Sequence, residues 1–129
     1  MLFRSPGTTS DHVSASWDSL PTFAAFAGVD VPKATDGLSI APTLLGQAHK
    51  QEEHEFLYWE FKEKRAARMG DWKAVHPGGE NGALELYNLK SDVGEKHNLA
   101  GQHPEIIEEM KTRMNRSRTE PRDSQRRAR

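Results

Sequence analysis

The sequence predicts an α+β domain: a small antiparallel β-sheet of about four strands, packed by a C-terminal helix and preceded by two short helices. Three observations predict it. Proline-started apolar stripes at helical spacing occupy the first third of the chain. Aromatic and alternating runs separated by glycine turns fill the middle, and a proline-led stripe with acids early and bases late closes it.

Residues 1–10 read as coil with a turn at Ser5-Pro6-Gly7, and a short extended piece is expected at residues 12–16. Asp18 is a good N-cap for a helix over residues 19–27, because its carboxylate can accept the free N–H groups of the first turn. Pro21 falls in that turn, where its missing N–H had no intrahelical partner. Leu20, Phe23, Ala24 and Ala27 follow i, i+3, i+4, i+7 and form the expected buried stripe, and Gly28 is the expected C′ residue. A connector with Pro32 and an Asp36-Gly37 turn leads to a second short helix, with Ser39 as N-cap, Pro42, Leu44 and Leu45 inside, and Gly46 as its stop. Residues 47–55 are polar and read as a loop.

The pattern then changes from helix to strand. Residues 55–61, Glu-Phe-Leu-Tyr-Trp-Glu-Phe, are apolar on both faces for part of their length and predict a central strand. Residues 66–69 and 72–75 flank Gly70-Asp71 as a hairpin, and residues 77–82 form an open loop. Residues 84–89 alternate, with leucines on one face and Glu85 and Tyr87 on the other, as a half-buried strand does. Trp59, Trp72 and Tyr87 read as core aromatics. A polar loop over residues 90–101, anchored by Leu99, precedes a helix that starts near His103 with Pro104 at N1. Glu105, Glu108 and Glu109 come early, and Lys111, Arg113 and Arg116 late, each sign at the end the helix dipole favours. Ile107, Met110 and Met114 mark its buried stripe, with Ile106 beside it.

The chain has 129 residues, a net charge of −1, 35% hydrophobic and 29% charged residues, and no cysteine. Leu, Ile, Val and Phe supply only about 18% of it, so the core is thin and the ends are expected to be loose. The lack of cysteine excludes a disulfide scaffold, a thiolate zinc site and a Cys nucleophile. No apolar run is long enough to span a membrane, and residues 1–9 lack the apolar stretch of a secretory signal, so the sequence assigns no compartment. Residues 111–129 carry 8 basic and 2 acidic side chains. With no aromatic residue to stack on a base after residue 118, this tail reads as a solvated terminus and not as a nucleic-acid site.

No catalytic constellation stands out. His49 and His54 are five apart, and Tyr58 stands four after His54, so no H-E-x-x-H pair exists and no metal ligand is assigned. There is no G-x-S-x-G elbow, and the glycines near Gly78-Gly79 lack phosphate-loop spacing. Glu60 and Glu63 beside the aromatic strand, and Asp92 and Glu95 in the late loop, are carboxylate pairs that serve acid–base chemistry only if the fold sets them across a pocket.

One family accounts for the order of the motifs. Ser10-Asp11-His12, Trp17-Asp18-Ser19-Leu20-Pro21-Thr22, Ala27-Gly28, Asp36-Gly37-Leu38-Ser39 and Pro42-Thr43-Leu44-Leu45-Gly46 occupy the first half. Phe56-Leu57-Tyr58-Trp59-Glu60-Phe61, Arg68-Met69-Gly70-Asp71-Trp72-Lys73, Glu85-Leu86-Tyr87-Asn88-Leu89, Asp92 to Ala100 and His103-Pro104-Glu105-Ile106 occupy the second. The ordered set resembles the carboxyl-terminal portion of the sulfatase family, arylsulfatase type. The stretch 62–67 is shorter than the glycine-containing turn usual there, and Ser5 replaces an aromatic.

The resemblance implies the carboxyl-terminal subdomain of an alkaline-phosphatase-like hydrolase of sulfate esters. In the full-length family, calcium and a formylglycine made from Cys or Ser in C-x-P-S-R or S-x-P-S-R are expected. This sequence has neither motif, and the resemblance carries no catalytic residue, metal ligand or cofactor onto it. Residues 1–50 are expected to be the end of the catalytic domain, 51–118 the subdomain, and 119–129 a disordered basic tail. Glu60 and Glu63 are candidates for the substrate rim. The partner expected is the missing catalytic domain, or a second copy through the exposed face, and neither nucleic acid nor a membrane. The alternative is a stand-alone interaction module that keeps the fold and binds a protein.

Overall fold

The computed structural model describes residue 7 and residues 9–31, 35–78 and 82–118. The expected tail at 119–129, Pro32 and most of the Ser5-Pro6-Gly7 turn lie outside the described residues. The chain divides into two compact units, Met1–Glu55 and Phe56–Arg129.

In the first unit, the extended piece expected at residues 12–16 pairs into no strand; Ala15 is extended, with φ of −126° and ψ of 164°. The chain then tightens into a 3₁₀ turn, Ser16–Asp18, which leads into helix α1, Ser19–Ala27. The reason is a reciprocal pair of bonds: the Ala15 N–H donates to Asp18 Oδ2 at 2.7 Å, and the Asp18 N–H donates to the Ala15 carbonyl at 3.0 Å. Helix α1 ends where predicted, at Gly28 with φ of 68°, a left-handed conformation that glycine adopts without a Cβ penalty. Its buried face differs from the expected one. Pro21, Thr22 and Ala24 are buried, while Leu20 and Phe23 are 56% and 69% exposed. Polar bonds override the apolar stripe, because the Thr22 hydroxyl donates to the Asp18 carbonyl at 2.6 Å and accepts the Ile40 N–H at 3.0 Å. Gly37 serves a close approach rather than a special dihedral: a Cβ there would strike the Trp17 carbonyl.

Helix α2, Ala41–Leu44, is a single turn with Ile40 at its N-cap. Ser39 sits one position earlier than predicted relative to the cap, yet its hydroxyl still accepts the Ala41 N–H at 3.2 Å. A 3₁₀ turn, Ala48–Lys50, interrupts the region expected to be loop. Gln51 then closes the unit, its Oε1 accepting from the Thr43 N–H and hydroxyl and its Nε2 donating to the Ser39 carbonyl.

The second unit is the predicted sheet and helix. Strands β1 (Leu57–Phe61), β2 (Lys64–Met69), β3 (Trp72–His76) and β4 (Glu85–Asn88) pair antiparallel in the order β1-β2-β3-β4. The aromatic strand β1 is therefore at an edge, not central, and Phe61 is 72% exposed. Aromatic density marks strand propensity, not position in the sheet. Trp59 is likewise part-exposed rather than a core residue, whereas Trp72 packs on the core and Tyr87 is buried.

Tyr58, Ala67, Ala74 and Leu86 align across the sheet. On that row sit Met110 and Met114 of helix α3, Pro104–Ser117, flanked by Ile106 and Ile107. Both alanines are fully buried, and their small side chains leave room for the flexible methionines of the predicted stripe. Leu57, Arg68, Lys73 and Tyr87 align on the opposite face. Tyr87 is buried on this face, as expected of a core aromatic. Glu95, bridged at 2.6 Å to its neighbour Lys73, brings the following loop over it. The same loop closes the outer edge of β4: the Leu86 N–H donates to Asn98 Oδ1 at 3.1 Å, and the Leu99 N–H donates to the Leu86 carbonyl at 2.8 Å. Leu99 thus anchors the loop through its backbone.

Candidate functional site

Among the described residues, the most buried ionisable group is Asp18, 1% exposed. Its side chain does not cap α1, as the sequence suggested. It faces the other way and accepts three bonds: from the Ala15 N–H at 2.7 Å, the Leu38 N–H at 2.9 Å and His54 Nε2 at 2.8 Å. Burial alone would raise the Asp18 carboxyl, but the two amide bonds and the histidine outweigh it and hold it below the usual carboxylate range. These three bonds tie residues 15, 38 and 54 together around one carboxylate. Sequence reasoning missed it. His54 lies 36 residues from Asp18, and no periodicity links them.

The Glu60 carboxylate accepts the Tyr58 hydroxyl at 2.6 Å and lies 3.5 Å from Arg118 Nε. Burial, then the bond to Glu60, pushes the Tyr58 phenol up to about 12. Glu63 is exposed in the two-residue turn between β1 and β2. The second carboxylate pair is also separated by role. Asp92 accepts the Lys96 and His97 N–H groups, both at 2.8 Å, and its carboxyl is lowered first by the His97 amide; Glu95 holds Lys73. His76 is buried, and its Nδ1 accepts the Gly78 N–H at 3.3 Å. The His103 ring lies 4.8 Å from that of Trp72 at the start of α3. The buried His12 Nε2 has no hydrogen-bond partner among the described residues.

Calcium and formylglycine do not fit the residues present. Among the described residues, no three His, Asp or Glu side chains are grouped to hold a metal ion, and the chain has no cysteine and no S-x-P-S-R segment. No helix among the described residues is long and apolar enough to cross a membrane.

A four-stranded antiparallel sheet backed by one C-terminal helix, with short polar-anchored helices before it, has close counterparts among sulfatases. Residues 3–120 match the family described as N-sulphoglucosamine sulphohydrolase, C-terminal. The chain is 34% identical to the Delta 4,5-hexuronate-2-O-sulfatase of Bacteroides thetaiotaomicron, over 77% of this chain and 23% of that protein. It is 32% identical to arylsulfatase A of Homo sapiens, over 82% of this chain and 26% of that protein. The solved structure of a 2-O GAG sulfatase superposes with a TM-score of 0.63 at 33% identity, covering 76% of this chain and 23% of that one. The chain belongs to the sulfatase family and corresponds to its carboxyl-terminal portion. It spans about a fifth to a quarter of the length of the curated relatives it matches.

Proposed function

We propose that this chain is the supporting carboxyl-terminal part of a sulfate ester hydrolase and does not turn over sulfate esters by itself. The observation that carries the reading is the match itself: residues 3–120 align with the C-terminal family, while the formylglycine motif is absent from the sequence. Hydrolysis of a sulfate ester needs a nucleophile and cations that hold the developing charge. Asp18 and His54 are engaged with each other, and Asp92 with its own loop. Glu63, exposed at the β1–β2 turn, is the rim carboxylate left to meet a sugar hydroxyl, while Glu60 orients Tyr58 and Arg118.

The test is an arylsulfatase assay of the purified chain with 4-nitrophenyl sulfate and calcium. The expected result is a rate indistinguishable from buffer. Turnover that follows the chain through purification overturns the reading.

A further inference from the structure

Successive side chains of a strand point to opposite faces, so Trp59 and Phe61 stand on one face of β1, about 6.8 Å apart along it. They are 37% and 72% exposed, on a strand at the edge of the sheet. Charge surrounds the outer ring. Lys62 Nζ lies 5.5 Å from the Phe61 ring centroid, within reach of anything resting on that ring. Lys64, also exposed, is the cross-strand partner of Phe61, and directly opposed residues share a face. Glu63 is exposed between the two lysines. Two aromatic rings in a row, two ammonium groups and one carboxylate thus meet in a single hairpin.

One ligand chemistry uses all of them. The C–H groups on the face of a pyranose carry partial positive charge and rest on the negative face of an aromatic ring. Sulfate or carboxylate groups on the sugar pair with lysine ammonium groups, and its hydroxyls donate to a carboxylate. A neutral apolar partner would strip water from Lys62 and Lys64 and leave them unpaired. We propose that the Trp59–Phe61 face of β1, with Lys62 and Lys64, binds an anionic saccharide by stacking and charge together. The inference rests on one part of the proposed function, the meeting of Glu63 with a sugar hydroxyl.

Calorimetric titration of the full 129-residue chain with a heparin octasaccharide tests it, with inorganic polyphosphate as a ligand that offers charge without rings. Phe61→Ala is expected to weaken heparin binding at least five-fold and polyphosphate binding less than two-fold, with the melting temperature unchanged. Phe61→Leu, which keeps apolar bulk without the ring, is expected to match Phe61→Ala, and Lys62→Ala to weaken both ligands at least three-fold. An octasaccharide of N-acetylheparosan, which keeps the carboxylates and lacks sulfate, is expected to bind more weakly and to lose the same factor in Phe61→Ala. Heparin affinity unchanged in Phe61→Ala overturns the platform and leaves binding to charge alone, the basic run of residues 111–129 included. Equal losses for heparin and polyphosphate overturn it too. Heparin binding weakened by Phe61→Ala but untouched by Glu63→Gln supports the platform and overturns the role given to Glu63.

Discussion

At residue 18 a single carboxylate gathers three donors from segments up to 39 residues apart, from Ala15 to His54. Asp18→Asn keeps the shape but replaces one acceptor with a donor, leaving at least one buried N–H unsatisfied. The expected loss is about 1–3 kcal/mol, measured by thermal unfolding. The pH dependence has a definite sign. Because the folded carboxyl lies below its ordinary value of 3.8, its stabilisation is fully present above that pH and is lost as pH falls through the folded pKa. Acid unfolding below about pH 4 should therefore be shallower in Asp18→Asn.

The tyrosines offer a second check. The chain has two, each bonded to a glutamate two positions away on its own strand, Tyr58 to Glu60 and Tyr87 to Glu85. The bond to Glu85, then burial, raises Tyr87, and Tyr58 reaches about 12. Absorbance at 295 nm should thus show no tyrosine ionising with a midpoint at or below 10, and unfolding in denaturant should restore it to about 10. The residues that hold the molecule together were the least legible ones. Asp before a helix is a local signal with a local meaning, and only the folded chain shows that the carboxylate turns away from the helix it precedes.

The two tight hairpins of the sheet make a controlled comparison at the level of elements. Each has a two-residue turn, Lys62-Glu63 and Gly70-Asp71, and in each the first turn residue has positive φ, 57° and 56°. That is the position at which such turns call for glycine. Gly70 meets the requirement; Lys62 carries a Cβ into it. Lys62→Gly is expected to raise stability by about 1 kcal/mol, seen as a higher midpoint in urea, and Lys62→Ala to leave it nearly unchanged. Gly70-Asp71 was readable because glycine announces its turn, whereas Lys62 gives no such sign and residues 62–67 read only as a shortened connection. Helix α3 was legible for the converse reason. Its proline start, charge order and methionine stripe all point to one placement, and Met110 and Met114 lie where that placement puts them. In α1 the apolar spacing and the Thr22 bonds disagree, and the bonds decide the face.

For the molecule as a whole, a thin apolar composition is resolved by making two small units, each closed by side chains that bond to backbone. Gln51 and Asp18 do this in the first, and Asn98 and Asp92 in the second. None of these four appears in a hydrophobic pattern, which is why element order and family could be read from the sequence while the polar closures could not. Asn98 has one more effect. The outward amide and carbonyl of Leu86 are already taken by Asn98 and Leu99. No foreign strand can be laid alongside β4 without first prying that loop away, so this margin of the molecule is closed to fibril growth and to strand exchange.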